Sequence, residues 1–448
     1  MNHRASLTDR AAAGGSGRHS HDRRRAGARA AAVAAAALVA GCGDDGTGKP
    51  TLTWYINPDP PPPPGFAGTF GQPGIAERCS TDEYTIATAQ LPTSASEQRI
   101  QLARRLAAGD ESIDLVSLDP VFTAEFADAG FLWPIPPERQ RAFAEGVLQG
   151  AIAGATWEGE LVVVPMWANT QVLWYRKSFA EQAGLRMDRP VTWDQIIEAA
   201  SAHGGKVGVQ ANKYEGYVVW INALIMGAGG EIITDTESGD DAAIHLDSAA
   251  AAEAARIVRK LATSPAAEAD LSVSNEGTVL GPFAESSGFQ VNWTFVYTHY
   301  PEESAVRGDL GWARYPRTVA GRPSRPPIGG INIGIGASTR YPEQALAAIA
   351  CITSLENQVR FAVETGQMPA REAAYDAPGL TSRFPADLLS LYRESIQEAG
   401  PRPATPYWAT IVNAILSRWH PPRSVDPDTT PEQSEQFVRS VLRGDSLT

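Results

Sequence analysis

The sequence predicts an α/β fold in two domains, on three observations. Helix and strand signals alternate along most of the chain. About 400 residues remain after an N-terminal leader, more than one hydrophobic core comfortably organises. Polar and aromatic residues sit just past several predicted strands, where α/β sheets bind ligands.

The leader comes first. Arg23, Arg24, Arg25 and Arg29 precede a small-apolar run, Ala30 to Ala40, too short to span a bilayer. The run ends in Leu38-Val39-Ala40-Gly41-Cys42, which looks like a bacterial lipobox. The expectation is a signal peptide over 1–41, acylation of Cys42, and a polar tether over 42–50. An ordinary secretory signal with an incidental Cys is the alternative. The expected address is the extracellular face of the cell membrane, held by lipid. Residues 1–41 carry seven Arg and two Asp, a net of +5, so of the chain's formal −13 the remainder holds −18. So acidic a body argues against nucleic acid and against a broad electrostatic membrane patch. Cys79 and Cys351 remain, either bridged or as two small buried thiols. No Cys or His spacing suggests a metal site.

Next come the elements, in chain order. Thr51–Tyr55 is a strand, and Pro58–Pro64 breaks regular structure after it. Tyr84–Gln90 is a strand. Ser94-Ala95-Ser96-Glu97 forms a capping box opening a helix through Leu106. Ile113–Leu118 is a strand, followed by a helix over Thr123–Ala129. Leu161–Val164 is a strand ended by Pro165, and Thr170–Tyr175 opens a second region. Thr192–Gln195 is another capping box, with its helix through Ala202. Val207–Gln210 is a strand, Tyr217–Met226 an apolar helix, and Ser248–Ala262 an alanine-rich helix. Gly288–Trp293 and Ile331–Ile335 are strands. Helices follow over Pro342–Leu355, near Ala386–Ala399 and Tyr407–Trp419, and from Pro431.

Signals for catalysis are poor, and no nucleotide or nucleophile motif is present. Asp119 follows one strand, Asn169 another, and Asn292 and Trp293 close a third. Asp119 and Glu276 could serve as a glycosidase pair, the alternative to a binding role. Tryptophans near strand ends suit the C–H faces of sugars, with carboxylates and amides taking hydroxyls.

The segments Pro92–Arg99, Leu102–Leu106, Leu118-Asp119, Thr123–Ala127, Asn169–Gln171, Leu173–Arg176, Val209–Asn212, Val291–Trp293, Gly329–Asn332 and Arg402–Pro406 form an ordered set. In that order they resemble extracellular solute-binding proteins of sugar ABC importers, and within these the trehalose-binding lipoproteins of mycobacterial importers. The resemblance implies a two-lobed, type II periplasmic-binding-protein-like fold with three hinge crossings, near Pro165–Asn169, Tyr297–Tyr300 and Ala337–Tyr341. Lobe 1 would hold 51–165 and 300–340, lobe 2 would hold 166–299 and 341–448.

It also implies no enzymatic activity, cofactor or metal, and ligand contacts from Asp119, Asn169, Glu276, Trp293, Gly330 and Arg402. Trp293 would be the stacking platform. Asp59, Gln171 and Asn292 are additional candidates. Cys79 and Cys351 fall where similar proteins carry cysteines; a bridge would brace a hinge or staple one lobe. The implied partners are a disaccharide and a permease with its ATPase, the protein itself being a monomer. A sensor lipoprotein that kept the fold without transport is a further alternative. The prolines at 60–64 and the short stretch Tyr297–Ile328 depart from the trehalose binders, so the sugar class is the firmer expectation.

Overall fold

A computed structural model describes residues 48–59, 62 and 66–447. The leader, Cys42 and most of the tether lie outside the described residues. Among those described, no helix is long and apolar enough to cross a membrane.

Eight strands form one continuous sheet: β1 (Thr51–Ile56), β2 (Thr85–Gln90), β3 (Leu115–Leu118), β4 (Val164–Arg176), β5 (Val207–Gly208), β6 (Phe289–Trp293), β7 (Leu310–Ala313) and β8 (Ile328–Ile335). The order is β2-β1-β3-β8-β4-β6-β5, with β7 also on β4. β1 runs parallel to β2 and β3, whereas β8 is antiparallel to β3 and β4. β4 is the shared strand. Its first part, through Thr170, pairs with β8; from Gln171 onward it pairs with β6 and β7. The two half-sheets of the two lobes therefore meet inside one strand.

The sequence breaks this strand at Pro165, and the structure does not. The register of β8 shifts between Ile331 and Asn332, opposite Pro165, so the residue without an N–H sits at a bulge. Leu161 belongs instead to a small ladder of Thr156–Trp157 with Glu160–Leu161.

The helices that position the site are α1 (Gly71–Cys79), α2 (Ala95–Ala107), α3 (Trp193–His203), α4 (Glu215–Gly227), α5 (Ala249–Thr263), α6 (Pro342–Ile352), α7 (Leu355–Thr365), α8 (Trp408–Trp419) and α9 (Thr430–Leu442). The Thr192 box forms: its hydroxyl accepts from Gln195 N while Gln195 accepts from Thr192 N. The Ser94 box does not, since the Ser94 side chain accepts no bond from α2. α4 is buried on nearly every side and runs through the interior of the second lobe. α5 and α8 pack against it.

Packing corrects the expected lobe boundaries. α6 and α7 lie on α1, and α6 also contacts β8, so 341–365 belongs with the first lobe. The apolar stripe Ala345, Leu346, Ala348, Ile349 and Ile352 drives this docking. Cys79 and Cys351 are joined by a disulfide that ties α1 to α6. β7 pairs with the second half of β4, so 300–313 belongs with the second lobe. The chain passes between lobes three times: within β4, over 314–327, and over 366–370. In the last, Met368 O accepts from Ala168 N and Pro369 bridges to Trp167. The second and third crossings thus lie later than Tyr297–Tyr300 and Ala337–Tyr341.

Candidate ligand-binding site

The ends of β3, β6 and β8 and the crossing of β4 converge on a cavity of about 190 Å³. Asp119, Asn169, Glu276, Trp293, Gly330 and Arg402 all line it. They come from six separate segments of the chain, spread over nearly 300 residues of sequence.

Asp119 follows β3 directly. One carboxylate oxygen accepts from Val121 N (3.1 Å), capping the short turn that follows. The same carboxylate receives Arg402, with Nη2 to Oδ1 at 2.6 Å. Arg402 Nη1 also donates to Glu215 Oε1 at 2.9 Å, and Trp408 Nε1 donates to that oxygen from α8. Arg402 and Glu215 are buried, at 8% and 3% exposure. Burial lowers the Arg402 pKa, but the two carboxylates outweigh it and hold the guanidinium above its ordinary value. Burial raises the pKa of Glu215, against the pull of Arg402.

Glu276 is held in a second cluster. Tyr214 Oη donates to Glu276 Oε2 at 2.6 Å, and Gln210 Nε2 donates to it at 2.9 Å. Burial first, then the Glu276 charge, pushes the Tyr214 hydroxyl well above its usual range, so it stays a donor. Gln171 and Asn292 do not line the cavity but support this cluster. Gln171 Nε2 donates to Gln210 Oε1 at 2.5 Å. Asn292 Nδ2 donates to the Glu276 carbonyl at 2.9 Å, and its Oδ1 accepts from Trp293 N at 2.8 Å.

The floor is the crossing itself. Asn169 Nδ2 donates to Gln367 Oε1 at 2.6 Å, and its Oδ1 accepts from Thr294 Oγ1 at 2.7 Å. Gly330 has φ +128°, and a Cβ there would meet the Trp167 carbonyl at 2.1 Å, so only glycine fits. The Trp293 ring lies over Gly329, where a Cβ would approach it to 3.0 Å.

Asp59 is elsewhere. It accepts from Gln72 N (2.7 Å) and Gln72 Nε2 (2.8 Å) at the start of α1 and is absent from the cavity lining. Burial raises its pKa to about 6, against the pull of the Gln72 bonds. In this arrangement it is a partly buried carboxylate that takes the backbone and side-chain donors of Gln72 in the first turn of α1. Gln210, Tyr214 and Glu215 also line the cavity, as do Asn57 and Gln98, and no sequence signal marks them as site residues. Asn57 Oδ1 is buried and has no hydrogen-bond partner among the described residues.

The charged lining is three carboxylates and one guanidinium, a formal −2. Such a site repels anions and suits a neutral ligand with many hydroxyls: carboxylates accept, amides do both, and indole offers an apolar face. The carboxylates Asp119 and Glu276 are each committed to neighbouring side chains.

A family model described as bacterial extracellular solute-binding protein matches residues 81–359. A probable ABC transporter-binding protein of Deinococcus radiodurans is 24% identical over 334 residues, covering 72% of this chain and 77% of that protein. Among solved structures, maltose-bound MalE3 of T. maritima superposes with a TM-score of 0.74 at 23% identity, over 88% of this chain and 99% of that one. The GacH receptor of Streptomyces glaucescens gives 0.72 at 18% identity, over 89% and 100%. These likenesses establish a shared two-lobed type II binding fold.

Proposed function

Because the chain belongs to the bacterial extracellular solute-binding protein family, we propose that it captures a neutral disaccharide of the trehalose type and delivers it to an ABC importer. It is a binding protein and not an enzyme, so the glycosidase reading of Asp119 and Glu276 is set aside. One observation carries the saccharide reading: six separate segments bring an indole, carboxylates, an amide and a guanidinium around one cavity. The maltose named with MalE3 and the acarbose named with GacH support the same ligand class.

In this reading Trp293 stacks on a sugar ring, while Asp119 and Glu276 accept from hydroxyls. Asn169 accepts and donates, and Arg402 donates from the opposite lobe. A site built to pair hydroxyls discriminates against ligands that leave those groups bare. Ligand that contacts both lobes favours their closed arrangement, and that arrangement presents the docking surface to the permease. A lipid on Cys42 keeps the monomeric binder near its permease, so docking becomes local.

The test is calorimetric titration of the purified protein with trehalose, maltose, sucrose and glucose. Micromolar binding of a disaccharide, tighter than glucose, is the expected result. No heat with any saccharide sinks the reading.

A further inference from the structure

A second cavity, of about 410 Å³, adjoins the first at Trp167, Gly329 and Arg402, the three residues both share. Val121, Ala124 and Ala151 line it from the first lobe and its crossing; Met226, Ile232 and Ile233 line it from the second. Most of its polar side chains are already bonded within the protein, Glu231, Asp235 and Thr236 excepted. Thr123 Oγ1 and Asn332 Nδ2 both donate to Gly154 O, at 2.9 and 2.8 Å. Thr156 Oγ1 donates to Ile152 O, and Thr234 Oγ1 bonds His245 Nε2. Asn222 Nδ2 faces Pro401 O and Met226 Sδ. Arg402 is held by Asp119 and Glu215. Away from Glu231, Asp235 and Thr236, a further sugar ring would leave most of its hydroxyls unpaired, which is costly. An apolar group would lose nothing.

We propose that this compartment takes an apolar substituent of the saccharide held next door, so that the preferred ligand is a glycoside with an alkyl or aryl aglycone. The inference rests on the saccharide reading above. The size fits: an apolar cavity of roughly 150 Å³ already holds benzene. The exposed carboxylates Glu231 and Asp235, also on the lining, disfavour an anionic end to that substituent.

The experiment is calorimetric titration with methyl, butyl and hexyl α-D-glucopyranoside, and with maltose and maltotriose as polar extensions. Affinity is expected to rise along the alkyl series by up to roughly fourfold per added methylene. Maltotriose is expected to gain nothing over maltose. In Ala404→Trp, which places an indole at the exposed edge of the compartment, the hexyl-to-methyl affinity ratio is expected to collapse towards one. A flat alkyl series, or a gain for maltotriose without one for hexyl, overturns the aglycone compartment and leaves the saccharide reading standing. No binding by any of the five overturns the aglycone compartment, and the saccharide reading falls with it only if trehalose and sucrose also give no heat.

Discussion

The Arg402 guanidinium reaches from the second lobe to the Asp119 carboxylate of the first, Nη2 to Oδ1 at 2.6 Å, while its Nη1 holds Glu215. This is a contact between lobes made within the cleft, and the two cavities meet at its cation.

Removing that cation strands two carboxylates, one of them fully inside the protein. Arg402→Met is expected to destabilise the fold by about 3–5 kcal/mol, the usual cost of breaking a buried pair from one side. Asp119→Asn is expected to cost less, because Asp119 is partly exposed and Arg402 keeps Glu215. Urea unfolding of the two variants gives the comparison; equal, small losses would mean the pair contributes little.

Asp59 makes stability depend on pH. Its folded pKa of about 6 lies above its ordinary 3.8, so the folded state binds the proton more tightly. The resulting stabilisation is complete below about pH 4 and is lost as pH rises through 6. The loss is on the order of 3 kcal/mol. Wild type minus Asp59→Asn, measured by denaturant unfolding from pH 4 to 7, isolates it. Parallel pH profiles would contradict the assignment.

The disulfide ties two helices of one lobe and does not span the cleft. It closes a loop of 272 residues in sequence separation. Cys79→Ser with Cys351→Ser is expected to lose roughly 3–5 kcal/mol of stability. Ligand affinity is expected to stay within a factor of two. A large drop in affinity with unchanged stability would mean the bridge acts on the cleft.

Gln171 acts at one remove. It orients Gln210, which donates to Glu276. Gln171→Leu leaves the Gln210 carbonyl without its donor, and ligand affinity is expected to fall about tenfold, or about 1.4 kcal/mol. Unfolding midpoints alongside the titrations separate this from a general loss of structure.

How much of this was legible in the sequence differs by element. Strand and helix alternation is a local pattern, and most elements of the sheet follow it. The lobe boundaries are not local. β7 has only four residues, and what assigns it is pairing with β4, more than 130 positions away. α6 and α7 are assigned by an apolar stripe whose partner, α1, lies near the start of the chain. In the site, Asp119 and Trp293 are marked by their place at strand ends, whereas only the family resemblance points to Arg402 and Gly330. Glu215 looks like an ordinary acid in the first turn of a helix. It is buried because Arg402, 187 positions on, folds back onto it. Asp59 sits in a suggestive first loop, yet Gln72 claims both its oxygens.

The most direct test of the central claim is titration of Trp293→Ala beside wild type, using whichever disaccharide wild type binds. Trp293 is partly exposed at the cavity wall and packs over a glycine, so its loss need not unfold the protein. Affinity is expected to fall at least thirtyfold, about 2 kcal/mol, with the unfolding midpoint nearly unchanged. A folded variant that binds as wild type does would contradict the claim that this cavity is the saccharide site.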